Sequence, residues 1–191
     1  FESSSEAEDY INSVPVYVYY SSYSGRINNL YKEYITEGEI EKGGVLILGS
    51  STMDFWDNWV TDLSLTDKIT GYNVGIGGTT SEDWLTAYDK LVKPFDPSCV
   101  LIFVGGNDIN VNGARGIDTA HRVQELIERI HADFPAASIY YIYSLPTPNS
   151  YANGKFTKEE FSILVNTLKA YCDSKDYVVG VDVAPALTDE N

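Results

Sequence analysis

The amino-acid sequence predicts an α/β fold of three layers, α/β/α, with a five-stranded parallel sheet in the middle. Three observations carry this. Residues 45–48 (VLIL), 99–104 (CVLIFV) and 138–144 (SIYYIYS) are near-continuous apolar runs, as strands covered on both faces require. Segments of helical periodicity separate them, and strand and helix alternate five times along the chain. The crossovers joining parallel strands are then right-handed. At 191 residues, 43% hydrophobic and 21% charged, the chain suits one domain with a sizeable core.

In chain order, residues 1–13 open polar and acidic and read as a linker leader, with Phe1 at a processing boundary and a single domain over 14–191. Residues 14–20 are a β-prone aromatic run. Ile27, Leu30, Tyr31, Tyr34 and Ile35 fall on one helical face, which Gly38 and Gly43-Gly44 end ahead of the first core strand. Gly49-Ser50-Ser51-Thr52 follows residues 45–48 at once. Ligands of open α/β sheets sit beyond the carboxyl ends of the strands, so a hydroxyl in this turn is positioned to act as a nucleophile. The same Ser and Thr side chains equally suit the cap of the next helix. Phe55, Trp56 and Trp59 form an aromatic patch fit for ordinary packing or for walling a cleft.

Residues 72–80 read as a short strand closing in a glycine-rich turn, where missing Cβ atoms let backbone N–H groups face the crevice. The spacing Gly75-x-Gly77-Gly78 is not the dinucleotide fingerprint. Thr79 or Thr80 caps a helix bearing Trp84, Leu85, Tyr88 and Leu91. Pro94 and Pro97 bracket a loop before the third strand, which ends in Gly105-Gly106-Asn107-Asp108. Asp118 then caps a periodic helix with Val123, Leu126, Ile127, Ile130 and Phe134 on one face. Leu145-Pro146-Thr147-Pro148 closes the fourth strand. Thr157 and Glu160 form a capping box for a helix bearing Phe161, Leu164, Val165, Leu168 and Tyr171, and 178–183 is the fifth strand.

Thirteen basic against 28 acidic residues give a net charge of -15, which repels phosphate backbones and anionic lipid surfaces and argues against a nucleic-acid partner. No apolar run approaches the roughly 20 residues that cross a bilayer, so membrane insertion is not expected. Cys99 and Cys172 read as free buried thiols. No cluster of His, Cys and carboxylates has ligand spacing, and neither a metal nor another cofactor is expected.

Gly49-Ser50-Ser51, the turn over residues 73–80 and Gly105-Gly106-Asn107-Asp108 each stand at a strand's carboxyl end. In that order and spacing they resemble the first three sequence blocks of the SGNH, or GDSL-like, lipase/acylhydrolase family, over about residues 43–183. Ser50 stands where that family usually has Asp. The resemblance implies a flavodoxin-like strand order and a serine esterase, and the lack of a long apolar lid segment points to short acyl esters, acetyl esters of carbohydrate among them. Ser51 would be the nucleophile. Its own N–H, the N–H of Gly78 and the side-chain amide of Asn107 would form the oxyanion hole, with Ser50, Trp56 and Asp108 beside the substrate. An ester's tetrahedral intermediate gathers negative charge on one oxygen, and each fixed donor there is worth about 3 to 4 kcal/mol in the barrier.

A serine nucleophile also needs a proton acceptor, ordinarily a histidine oriented by a carboxylate. In the family that pair is Asp-x-x-His after the fifth strand; here no histidine follows His131. Asp118 and His121 match the spacing, but as a cap and a polar helix position they are accounted for without catalysis. The first expectation is a chain trimmed ahead of the pair; the second is an inactive relative that keeps the cleft for binding. An acidic, doubly wound protein with a Ser/Thr turn also fits a flavodoxin-like FMN carrier, against which residues 51–54 lack the glycine that loop needs. With no long apolar lid segment, the expected partner is a small-molecule or carbohydrate ester. The expected location is extracellular or at the cell surface, with the cytoplasm as the alternative. Nothing in the sequence sets the oligomeric state.

Overall fold

The computed structural model describes residues 23–65, 69–145 and 158–187. The leader over 1–13, the aromatic run at 14–20, Pro146-Thr147-Pro148, Thr157 and the tail over 188–191 lie outside the described residues.

Strands β1 (Val45–Gly49), β2 (Gly71–Asn73), β3 (Cys99–Phe103), β4 (Ser138–Ile142) and β5 (Val178–Val181) form one parallel sheet in the order β2-β1-β3-β4-β5. This is the flavodoxin-like order, with its switch point between β1 and β3. Val45 pairs with Gly71 on one side and Cys99 on the other, so β1 is central and all five of its residues are buried. β3, β4 and β5 each end short of their apolar runs, at Phe103, Ile142 and Val181.

The strand pleat sends alternate residues to opposite faces. Leu46, Leu48, Val100, Ile102, Ile139 and Tyr141 point to one face, the main core. Helices α4 (Ser81–Leu91), α6 (Gly116–Asp133) and α7 (Lys158–Asp173) cover it, α6 packing between the other two. Helix α1 (Ser24–Tyr31), continued by a π-helical turn over Lys32–Thr36, adds Ile27 and Leu30 to the same core. On the other face Val45, Ile47 and Met53 pack with Trp56, Trp59, Leu63 and Leu65 from the short helices α2 (Ser51–Asp54) and α3 (Trp59–Asp62) and the loop after them. Over β3 to β5 this second face is partly open. A groove of about 440 Å3 runs there, floored by Leu101, Tyr140, Ile142 and Val181 and walled by Trp56 and Leu63.

One expected cap differs and another is settled. α6 begins at Gly116, so Asp118 lies inside its first turn rather than capping it. The Gly116 N–H donates instead to Glu160 Oε2 of α7 at 2.6 Å. At α4 the choice between Thr79 and Thr80 falls to Thr80, in a reciprocal box with Asp83. Helices α5 (Gly106–Asn110) and α8 (Ala184–Leu187) are single turns.

Candidate active site

β1 delivers Ser50 and Ser51 to the carboxyl edge of the sheet. The Ser50 N–H donates to the Phe103 carbonyl at 3.0 Å, and its own carbonyl accepts from the Met53 and Asp54 N–H groups, which starts α2. Ser50 is only 7% exposed. Ser51 is half-buried and is the first residue of α2, so its N–H has no intrahelical carbonyl to bond.

The glycine turn after β2 lies directly against that helix. Ile76 N–H bonds Gly49 O at 2.9 Å, continuing the ladder past the strand. Asn73 Nδ2 donates to Met53 O at 2.7 Å, and Asn73 Oδ1 accepts from the Gly75 N–H at 2.9 Å. A Cβ on Gly77 would lie 3.7 Å from Ser51 Cβ, and one on Gly75 would lie 2.6 Å from Asp54 N. Gly78 has φ +88, a backbone conformation that favours glycine, and a Cβ there would meet the Tyr23 hydroxyl at 2.7 Å. Burial first, and then the nearby Asp83 carboxylate, raise the Tyr23 phenol above its ordinary pKa, which leaves it a protonated neighbour of this turn.

The third turn comes from β3. Gly105, at φ +112, lets the chain turn into α5, whose first turn carries Asn107. Asn107 Nδ2 donates one hydrogen to Thr79 O at 3.0 Å and has a second to give. Ser51, Gly78 and Asn107 therefore stand on turns that touch or bond one another: β1's turn against Gly77, and β3's turn through Thr79.

Asp108 differs from its expected role beside the substrate. It is 1% exposed, and its carboxylate accepts from the Ser81 N–H at 2.9 Å, from the Ser81 hydroxyl, and from Arg122 Nη2 at 3.2 Å. It ties the start of α4 to α5 instead of facing the cleft. Trp56 donates from Nε1 to Asp62 at 2.6 Å and packs into the second face, where it walls the apolar groove. His121 is exposed on α6. His131 lies in the last turn of that helix, its ring stacked on Tyr177 at 3.8 Å, at the amino edge of the sheet beside Ser138. Among the described residues, neither histidine hydrogen-bonds to any of the three turns.

Two site residues are missed by the sequence reading. Asp54 Oδ2 accepts from the Gly77 N–H at 2.8 Å, and Asp54 Oδ1 pairs with Arg26 Nη2 at 2.9 Å. Only the placement of Asp54 one helical turn after Ser51 is a sequence signal.

The profile of the GDSL-like Lipase/Acylhydrolase family matches residues 35–191. The chain belongs to that family. Its fold is similar to a Streptococcus pneumonia protein named for platelet activating factor (TM-score 0.70, 18% identity, 98% of this chain and 85% of that one). It is also similar to a GDSL-like lipase from Bacteroides thetaiotaomicron (TM-score 0.67, 22% identity, 86% of this chain and 82% of that one). A third is the family 3 carbohydrate esterase of Clostridium thermocellum (TM-score 0.58, 16% identity, 79% of this chain and 83% of that one). No curated protein matches the chain. Within a GDSL-like family the flavodoxin-like electron carrier is not favoured, and hydrolysis of ester bonds is the chemistry the family supports.

Proposed function

We propose that this GDSL-like domain hydrolyses short acyl esters with Ser51 as nucleophile. The observation that carries the reading is the junction of the three turns, Gly77 packed on Ser51 and Asn107 bonded to Thr79. The Ser51 Oγ attacks the acyl carbon, its proton passes to a base, and the carbonyl electron pair moves onto oxygen. That oxygen accepts hydrogen bonds from the N–H groups of Ser51 and Gly78 and from the second Nδ2 hydrogen of Asn107. Collapse expels the alcohol, protonated as it leaves, and water releases the acid in a second round through the same donors. The described residues hold no histidine beside Ser51, so the 191-residue chain turns over slowly until a base such as imidazole is supplied. Acetyl esters of carbohydrate are the favoured substrates, a choice supported by the fold shared with a carbohydrate esterase and by the lack of a long apolar lid segment.

A fluorophosphonate probe tests the nucleophile. Its phosphorus bonds to Ser51 Oγ, fluoride leaves, and the hydroxyl proton goes to buffer or imidazole. Mass spectrometry should find the adduct on Ser51 and none in Ser51→Ala. A folded wild-type chain that stays unlabelled in imidazole buffer would sink the reading.

A further inference from the structure

The glycine turn has a mechanical problem that Asp54 and Arg26 solve. Gly77 and Gly78 carry no Cβ, so little in their own dihedrals fixes where the Gly78 N–H points. An external acceptor must hold the peptide units. Asp54 Oδ2 does this at Gly77 N, 2.8 Å away, from a side chain one turn along the same short helix that begins with Ser51. Nucleophile and turn are thereby joined through one rigid piece, and the bond is charge-assisted. The arrangement also carries a liability: a half-buried carboxylate next to a site that must stabilise an oxyanion raises the energy of that oxyanion. Arg26, 2.9 Å from the other carboxylate oxygen, offsets it. Arg26 stands in α1, before the stretch 35–191 that matches the family.

We propose that Asp54, its charge balanced by Arg26, is a positioning residue that keeps the Gly78 N–H aimed at the developing oxyanion. The proposal rests on the reading of Ser51 as nucleophile. It gives α1 a part in the active site through Arg26, although that helix supplies no reacting group.

The two partners make separable demands, an acceptor oxygen from Asp54 and a positive charge from Arg26. The test follows the second-order rate of Ser51 labelling by the fluorophosphonate in imidazole buffer. Asp54→Ala should slow labelling about 10- to 100-fold, the size expected when a catalytic group is displaced by about an ångström. Asp54→Asn keeps an acceptor oxygen and should retain most of the rate. Arg26→Ala should slow labelling several-fold, and adding Asp54→Asn to it should recover most of that loss, since the uncompensated carboxylate is gone. A contact that only stabilised the fold would show no such recovery. Hydrogen exchange at the Gly77 amide gives a second readout and should quicken in Asp54→Ala. Should Asp54→Ala fail to fold, the Asn variant and the double variant carry the test. Wild-type rates in folded Asp54→Ala, or a double variant no faster than Arg26→Ala, would overturn the proposal while leaving Ser51 labelled. An unlabelled wild type would remove the nucleophile first and this proposal with it.

Discussion

At the tips of β1, β2 and β3 every turn is bonded to another: Ser50 to Phe103, Ile76 to Gly49, Asn73 to Met53, Gly77 to Asp54, Asn107 to Thr79. At the tips of β4 and β5 the described residues are bonded too, Tyr143 N–H to Val181 O at 3.0 Å and the Tyr141 and Ser144 hydroxyls to Val104 O at 2.8 and 3.4 Å, with Lys169 and Asp182 paired on the surface. The contrast lies in the outward side chains of those two strands, which are open, Tyr140 at 36% and Val179 at 54% exposure. The edge formed by β1, β2 and β3, with its turns bonded to one another, is fixed before any ligand arrives. Oxyanion donors need that property, because reorganising dipoles during reaction forfeits much of their value.

The comparison breaks most completely at Ser51. Ser51→Ala should abolish fluorophosphonate labelling if Ser51 is the nucleophile proposed above; adduct formation elsewhere at a comparable rate would refute it. Next in size is Asn107→Ala, expected to slow Ser51 labelling about 10²- to 10³-fold. Part of that loss comes from freeing Thr79 O, so hydrogen exchange at the Gly77 and Gly78 amides should be followed alongside the rate. A loss under about fivefold would mean that Asn107 donates nothing to the oxyanion, and amides that lose protection alongside a larger loss would assign that loss to the tether.

The two sheet faces sharpen the contrast in stability. Leu126 in α6 is fully buried against the covered face, and Leu126→Ala should cost about 2 to 5 kcal/mol in denaturant unfolding. Val179 lies on the open face of edge strand β5, where Val179→Ala should cost less than about 1 kcal/mol. Equal costs would mean that the groove beside Val181 is covered in solution.

What was legible in the sequence follows the same division. The run at 45–48 reads as a strand covered on both faces and is one, since β1 is central. The runs in β3 and β4 look alike in sequence, yet their burial alternates, because the cover on the second face does not reach all of them. The turns bearing Ser51, Gly78 and Asn107 were legible because each follows an apolar strand directly. Asp108 was misread for a geometric reason: successive residues of a helix point about 100° apart, so Asn107 reaches the neighbouring turn while Asp108 is turned inward to Ser81 and Arg122. Arg26 with Asp54 spans 28 residues, and Gly116 with Glu160 spans 44. Neither pairing has a local pattern, and each is created by helix packing that only the folded chain defines.

The smallest expected effect belongs to His121, which stands outside the three bonded turns. Asp118-x-x-His121 has the family's spacing, but α6 turns His121 to solvent between buried Ala120 and Val123. A surface side chain with no partner in the three turns should be replaceable within about 0.5 kcal/mol, roughly a twofold change in rate. His121→Ala should therefore label like wild type at every imidazole concentration, and imidazole should speed both alike. If labelling without imidazole were fast in wild type and lost in His121→Ala, α6 would have to swing its first turns over Ser51, and the base would lie within this chain. Were it fast in both, some other side chain would be taking the proton, and the carboxylate of Asp54 would be the first to examine, being one helical turn from Ser51 on α2.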